Sequence, residues 1–387
     1  LSIFKPRNKT VTVSQYKLVT DEGNGFYAWN GNLYRSDIVR AAIRPKVRAI
    51  GKTVGKHIRE TITAGKRSIA VNPDAYMRFL LEEPNPLMTG QMLQEKLATQ
   101  LELNHNAFAY IGRDENGYPT EIYPIAAVMV EALRNDAGEL FMRFTLKRGP
   151  TVTFRYSDII HLRKDFYDNE FFGTSPAEAL TPLMDIVSTT DQGIVRAIKN
   201  SNVIRWLLKY SRGLRPEDLK KNAKDFVDMF LSSESESIGA AATDSNMEAK
   251  QVEPQDYVPN AAQMDRTTQR IYSFFNTNDK VVQGKYGEDD WISYYESSVE
   301  PDVVQLSQEY TRKLFSRRER GFGNRIVFEA SNLTFASMQT KLNLVQYVDR
   351  GIMNPNEVRE ILNMAPRDGG DEYVRRADTP AIGKGGE

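Results

Sequence analysis

His161 and Asp165 stand four residues apart in the stretch IIHLRKDFYDNEFFGTSPAEAL, residues 159–180. A histidine beside a carboxylate is the simplest acid–base pair a chain can build, provided the two groups reach each other. On a helix, that spacing puts them on one face. On a strand they also share a face, but lie ~13 Å apart, too far for a proton relay. The flanking run YSDIIHLRK is β-like, so the spacing predicts a structural histidine. The stretch then reads as a joint between two pieces of architecture.

The other chemistry-bearing residues lead to the same place. Gly51-Lys52-Thr53 ends like a phosphate loop, but Lys46 stands where the leading glycine belongs, and the segment falls within a helical pattern. GFGN (321–324) follows a helix and precedes a strand, the reverse of the dinucleotide-binding order, and reads as a helix C-cap. His57 has Glu60 three residues on, a spacing expected to give a surface pair on a helix, and His105 has no ligand-type neighbour at metal spacing. No HExxH or GxSxG occurs. The chain has no cysteine, which removes disulfides, thiolate metal sites and thiol nucleophiles, and fits assembly in a reducing cytoplasm. No catalytic residue, metal or cofactor is expected.

The elements that must position these residues are legible from periodicity. The 387 residues suffice for two or three domains. No apolar run reaches membrane-spanning length, and Leu1–Lys9 carries no signal-peptide core. Ser36 caps a helix expected over 36–60, with Ile43, Val47, Ile50, Val54 and Ile58 at spacings of three and four. A second helical unit, 73–103, breaks at Pro84-Asn85-Pro86 and restarts at Thr89. Residues 106–164 predict an antiparallel meander, with turns at Asn116-Gly117, 135–138 and 147–150. Ser175-Pro176 opens a helix over 175–204. A helix at 217–231, a polar loop at 232–247, a short strand at 249–253 and a helix at 259–275 follow. A loop at 277–290, a long helix at 292–320, a strand at 325–330, two helices near 335–350 and 354–364, and a mobile tail complete the reading.

Lys+Arg and Asp+Glu both number 51, so net charge selects no partner, but its distribution is segregated. Residues 196–224 carry nine Lys/Arg against Glu217 and Asp218, whereas 225–248 carry six Asp/Glu and no Lys/Arg. The helix at 292–320 has Glu296, Glu300 and Asp302 near its start and Arg312, Lys313, Arg317, Arg318 and Arg320 at its end, complementing its dipole.

Three segments in order carry a family resemblance. FLLEEPNPLMTGQMLQEKLATQLELNHNAFAYIGRDENGYPTEIYPI resembles the wing region of the HK97 group of tailed-phage portal proteins. The strand–gap–GTSP pattern of the opening stretch fits the same group, and RGIMNPNEVREILNMAPRDGGDE is similar to its C-terminal segment. His105-Asn106-Ala107-Phe108 departs from the family's usual Gly before Asn-Ala-Tyr, and the clip segment matches weakly. The resemblance covers roughly residues 35–372.

It implies an α+β portal fold with an antiparallel-sheet wing, long stem and tunnel helices, a small α/β clip and a C-terminal helical crown. The implied parts are wing 1–174, first stem helix 175–204, clip 205–256 and second stem helix 257–276. Tunnel loop 277–291, tunnel helix 292–320, wing return strand 321–334, and crown with tail 335–387 follow. The implied role is a ring, usually of twelve subunits, at one capsid vertex of the virion, assembled in the host cytoplasm. Double-stranded DNA would pass through it. It would dock the terminase large subunit, neck adaptor proteins, and major capsid and scaffold proteins, with no membrane and no cofactor. The rival reading is a cytoplasmic oligomeric scaffold or adaptor without a DNA-conduit role.

Moving DNA disfavours strong phosphate binding, so a channel wall should mix charge signs. Lys280, Gln283 and Lys285 of the tunnel loop are the residues expected to approach DNA. Arg196, Lys199, Lys220, Lys221, Asp225 and Asp228 are expected at subunit contacts or the channel. Gly173, Ser175 and Pro176 form the expected joint, with Gly173 supplying a backbone angle that other residues resist.

Overall fold

The structure is a computed structural model. It describes residues 17–18, 25–27, 32–63, 66–146, 149–167, 169, 171–200, 206–211, 213–230, 247–251, 261–329, 344–362 and 364–373. The chain forms two compact units: Leu1–Thr181 with Thr268–Glu387, and Pro182–Thr267.

The first unit begins with β1 (Lys17–Leu18), β2 (Gly25–Tyr27), α1 (Asn32–Arg35) and α2 (Asp37–Gly51). Ser36 caps α2 by accepting from the Val39 N–H, and Val39, Ile43, Val47 and Ile50 bury one face. The helix stops at Gly51, earlier than the spacing predicts. Val54–Thr63 is instead β3, paired with β4 (Lys66–Val71) on one side and β13 (Asn324–Glu329) on the other. Val54, Ile58 and Ile62 recur every four residues, a spacing that satisfies both the helical and the strand period. Pairing on both sides decides for the strand. This also corrects His57, which is buried at 0% exposure, against Phe315, rather than on a surface.

Helices α3 (Ala75–Glu82) and α4 (Gly90–Asn104) flank the expected break, and Thr89 caps α4. β5 (Asn106–Arg113) and β6 (Pro119–Pro124) form the hairpin expected at Asn116-Gly117, where Gly117 has φ +86°. β7 (Ala127–Arg134), β8 (Leu140–Leu146), β9 (Thr151–Arg155) and β10 (Ile159–Arg163) complete the strands of this region. They do not make one meander. A tight turn at Tyr156–Asp158 redirects the chain, and β10 pairs with β5, with His161 opposite Phe108. The result is a β10-β5-β6 sheet and a separate β1-β7-β8-β9 sheet, with β2 also on β7. A shared apolar core includes Phe108, Tyr110, Val130, Phe144, Phe154 and Phe172. Phe108 meets Phe144 edge-on at 5.4 Å, and Tyr110 stacks on Phe154 at 4.3 Å.

Helix α5 (Ala177–Asn200) leads into the second unit, which holds the β11 (Trp206–Tyr210) and β12 (Met247–Gln251) pair and α6 (Pro216–Phe230). Pro216 opens α6, with Glu217 and Asp218 in its first turn. The polar loop at 232–246 and the tail from 374 lie outside the described residues.

The chain returns through α7 (Ala261–Phe274). The loop expected at 277–290 holds a short helix, α8 (Asp279–Gln283), capped by Asn278 and ended by Gly284 at φ +71°. The single helix expected at 292–320 is three helices: α9 (Glu288–Tyr294), α10 (Glu300–Leu314) after a π turn, and α11 (Arg317–Gly321). Phe315 is extended and buried, and Ser316 with Glu319 forms a capping box that restarts the helix. Short helices at Val345–Asp349 and Pro355–Ile361 follow, and 330–343 lie outside the described residues.

Helix α10 covers two sheet edges at once. Gln305 accepts from the Arg163 N–H at 2.8 Å and donates to its carbonyl at 2.7 Å, and Glu309 accepts from the His161 N–H. One residue pair further round, Ser307 accepts from Phe328 N–H and Thr311 from Ile326 N–H. Each pair is spaced by four, so each lies along one line of the helix. The edge backbones of β10 and β13 are thus satisfied by side chains, which closes both to further strand pairing.

Candidate functional site

The joint at 159–176 is built around Asn106. Its Oδ1 accepts from the Gly173 N–H at 2.9 Å, and its Nδ2 donates to the Gly173 carbonyl at 2.9 Å. His161 Nε2 lies 3.2 Å from the same Oδ1, which places the imidazole proton on Nε2. The ring stacks on Phe108 at 4.5 Å and is 3% exposed. Burial, reinforced by Arg163, Lys313 and Arg312, holds its pKa well below the usual histidine range. A neutral, enclosed imidazole of this kind packs and hydrogen-bonds; it does not relay protons.

Asp165 does not face His161. It adopts φ +47°, and its carboxylate lies 3.4 Å from His105 Nδ1. Gly173 is constrained differently from the expectation. Its φ is not positive; a Cβ there would sit 2.2 Å from the Lys164 carbonyl and 2.3 Å from the His105 carbonyl. Close backbone approach, not a left-handed angle, requires the glycine. Ser175 Oγ accepts from the Ala177 N–H, and the Pro176 carbonyl accepts from Leu180, so α5 starts from this joint.

Beneath the joint lies a charged cluster that sequence reasoning missed. Lys46 Nζ is 3.0 Å from both Glu102 and Asp302, and Lys164 contacts the same two carboxylates, 2.9 Å from Asp302. Two cations and two anions from α2, α4, α10 and the loop after β10 meet here, with Lys46, Glu102 and Asp302 buried and Lys164 half-buried. Burial opposes the charge of Lys46, but Glu102 and Asp302 outweigh it and its pKa is raised. Burial likewise opposes the charge of Glu102, and Lys164 and Lys46 outweigh it, so its pKa is lowered. The only sequence signal was Lys46 within the apolar stripe of α2. Asp302 stands in the first turn of α10, where the helix dipole favours it as expected, and also belongs to this cluster.

The expected channel residues sit on or beside α8. Lys280 is exposed and pairs with Asp290 at 3.0 Å. Gln283 and Lys285 are exposed, with Asp279 and Asp289 nearby in sequence and also exposed. Val281 is buried and anchors the turn, and Tyr286 stacks on Trp291 at 5.0 Å. The segment is therefore an ordered, mixed-sign surface. In the second unit Lys220, Lys221, Asp225 and Asp228 are exposed on α6, whereas Arg196 and Lys199 lie on α5 with side chains outside the described set.

Among the described residues no group of three His, Cys, Asp or Glu is arranged to hold a metal, and no helix is long and apolar enough to cross a membrane.

Comparison with known proteins assigns this architecture. A probable portal protein of Lactococcus phage p2 and one of Lactococcus phage SK1 are each 23% identical to the chain over 151 residues. That stretch covers 37% of this chain and 40% of each relative. Among solved structures, a chain in the neck of an empty GTA particle, computed with C6 symmetry, has a TM-score of 0.70 at 13% identity. It covers 92% of this chain and 97% of its own. A chain from the neck of a native GTA particle, computed with C12 symmetry, has a TM-score of 0.63 at 14% identity, covering 89% and 96%. An HK97 family phage portal protein from Corynebacterium diphtheriae has a TM-score of 0.50 at 11% identity, covering 81% and 98%. The family described as phage portal protein matches residues 37–363, across both compact units, and the chain belongs to that family.

Proposed function

We propose that this chain assembles into a closed ring at one capsid vertex of a virion and forms the conduit through which double-stranded DNA is packaged and ejected. The observation that carries this reading is the family match over 37–363, matched by likeness of fold along 92% of the chain to a particle-neck structure. The protein is a structural channel without catalytic chemistry of its own. Its ring docks the terminase motor during packaging and neck proteins afterwards, and meets capsid and scaffold proteins at its rim.

Within that reading, residues 1–174 form the wing, 175–204 and 257–276 the stem helices, and 205–256 the clip that meets the motor. The separate compactness of Pro182–Thr267 supports the stem and clip assignment. Residues 277–291, with α8 and the start of α9, form the tunnel loop; 292–320, interrupted by the π turn and at Phe315, form the tunnel helix segment; 321–334 form the return strand and 335–387 the crown and tail. The pairing of β13 with β3 supports the return to the wing. Lys280, Gln283 and Lys285 face the DNA. The mixed signs around them support a wall that lets phosphates slide, because each uncompensated cation adds salt-dependent drag. Arg196, Lys199, Lys220 and Lys221 of one subunit pair with acidic residues such as Asp225 and Asp228 of the next.

Native mass spectrometry with negative-stain imaging of the purified chain tests the reading. A closed ring near twelve subunits, with a hole wide enough for B-DNA, is expected. A chain that stays monomeric, and also fails to enter capsids when co-expressed with scaffold and capsid proteins, would overturn it in favour of an adaptor.

A further inference from the structure

A groove of about 1080 Å³ opens where the β5–β6 turn, the end of β9 and the α10–α11 junction meet. Arg155, Arg317, Arg318 and Arg320 line it, and none of the four forms an ion pair among the described residues. Its other cations are engaged: Arg113 holds Asp158, Arg312 holds Glu309, and Lys313 lies over the Tyr156 ring at 3.6 Å. Its two acids are also engaged, Glu319 in the α11 capping box and Glu139 with Asn135. Those hydrogen bonds leave both carboxylates charged, but four arginines without an ion pair against two acids leave the groove net positive.

Aromatic rings border this charge. Tyr118 is 53% exposed, Phe79 64% and Phe322 63%, with Arg318 over the Phe322 ring at 5.9 Å. Tyr76 and Tyr118, 6.2 Å apart, line both this groove and an adjoining apolar one that includes Phe79 and Leu80. Exposed aromatics beside arginine are the composition of protein–protein hot spots. A duplex offers phosphates to the arginines but nothing for Phe79 and Phe322, so the composition favours a protein partner bringing carboxylates and apolar groups together.

The same chain carries such a surface. Ile292, Glu296, Glu300 and Val304 recur every four residues along α9, the π turn and α10, and all four are exposed. Glu296 and Glu300 form no ion pair among the described residues. π turns of this kind often mark functional positions on helices. We propose that the stripe Ile292–Glu296–Glu300–Val304 of one copy docks on the arginine–aromatic groove of the next. Two different patches on one chain pair only head to tail, the contact from which closed rings are built. The proposal rests on the ring reading above and names the contact.

Charge exchange tests it on the full chain, with ring yield read by native mass spectrometry at fixed concentration. Arg317→Glu with Arg318→Glu is expected to lower ring yield by about tenfold or more, because like charges then face each other. Glu296→Arg with Glu300→Arg should do the same. All four substitutions together should restore rings. The sites are exposed, and circular dichroism and thermal melting of each variant should match wild type. Wild-type ring yield in either double variant would overturn this contact while leaving the ring intact. Failure of the fourfold variant to recover would show that the groove takes another occupant, a capsid protein or DNA, and would overturn it equally. A wild-type chain that never forms rings would overturn the ring reading, and this contact with it.

Discussion

At the residue scale, the joint depends on the absence of a Cβ at 173 and on a neutral histidine at 161. Gly173→Ala would press a methyl group onto two backbone carbonyls. It should cost about 1–3 kcal/mol, the usual penalty of overpacking, read as a lowered midpoint in urea. His161 supplies a pH dependence. Its folded pKa lies below its unfolded value, so the unfolded chain binds the extra proton first as pH falls. The stabilisation it contributes is complete above the unfolded pKa, near 6.5, and is lost as pH falls below it. His105, lowered by burial despite Asp165, acts in the same direction. Urea midpoints should therefore drop between about pH 7 and 5, and His161→Leu should flatten that slope. An unchanged slope in the variant would assign the loss elsewhere.

At the element scale, α10 holds the first unit together through polar contacts as well as apolar ones. Gln305→Leu would leave the Arg163 N–H and carbonyl without their partners. A cost of about 1–3 kcal/mol is expected, with faster hydrogen exchange at Arg163 than at residues of β6. The four-charge cluster is more demanding. Lys46→Met leaves two carboxylates facing Lys164 alone. Breaking a buried pair in this way should destabilise by about 3–5 kcal/mol. Adding Glu102→Met removes the uncompensated anion, so the double variant should be less destabilised than the sum of the singles. Additive effects in that cycle would mean that the two side chains are not coupled.

At the scale of the whole molecule, the unit Pro182–Thr267 has few apolar anchors among its described residues, and charge segregation is its main feature. If neighbouring subunits pair through that segregation, Lys220→Glu with Lys221→Glu should reduce ring yield, and raised salt should weaken wild-type rings in parallel. Gln283→Lys tests the proposed channel wall instead. It should leave ring yield unchanged and slow DNA packaging at low salt, with the difference fading as salt rises from about 50 to about 200 mM, because an added phosphate contact is salt-dependent. Equal packaging rates at every salt concentration would place residue 283 away from DNA.

Local signals alone determined the caps, the hairpin turns at Asn116-Gly117 and 135–138, and the family; residues 147 and 148 of the third expected turn lie outside the described residues. Ser36, Thr89 and Asn116-Gly117 act within a few residues of themselves, so their effect is written in adjacent letters. The structural role of His161 was equally legible, because the β-like run around it argued against a helical face shared with Asp165; the strand ends at Arg163, and Asp165 turns away at φ +47°. Tertiary structure decided what local spacing leaves open. Val54, Ile58 and Ile62 fit helix and strand alike until β13 and β4 pair on both sides of them. β10 could have followed β9 in one sheet, but registers on β5 instead. The partner of Asp165 is His105, and the Lys46–Glu102–Lys164–Asp302 cluster joins residues up to 256 positions apart in sequence. Such contacts have no period and no neighbour in the chain; they exist only once packing has removed water from between the elements that carry them.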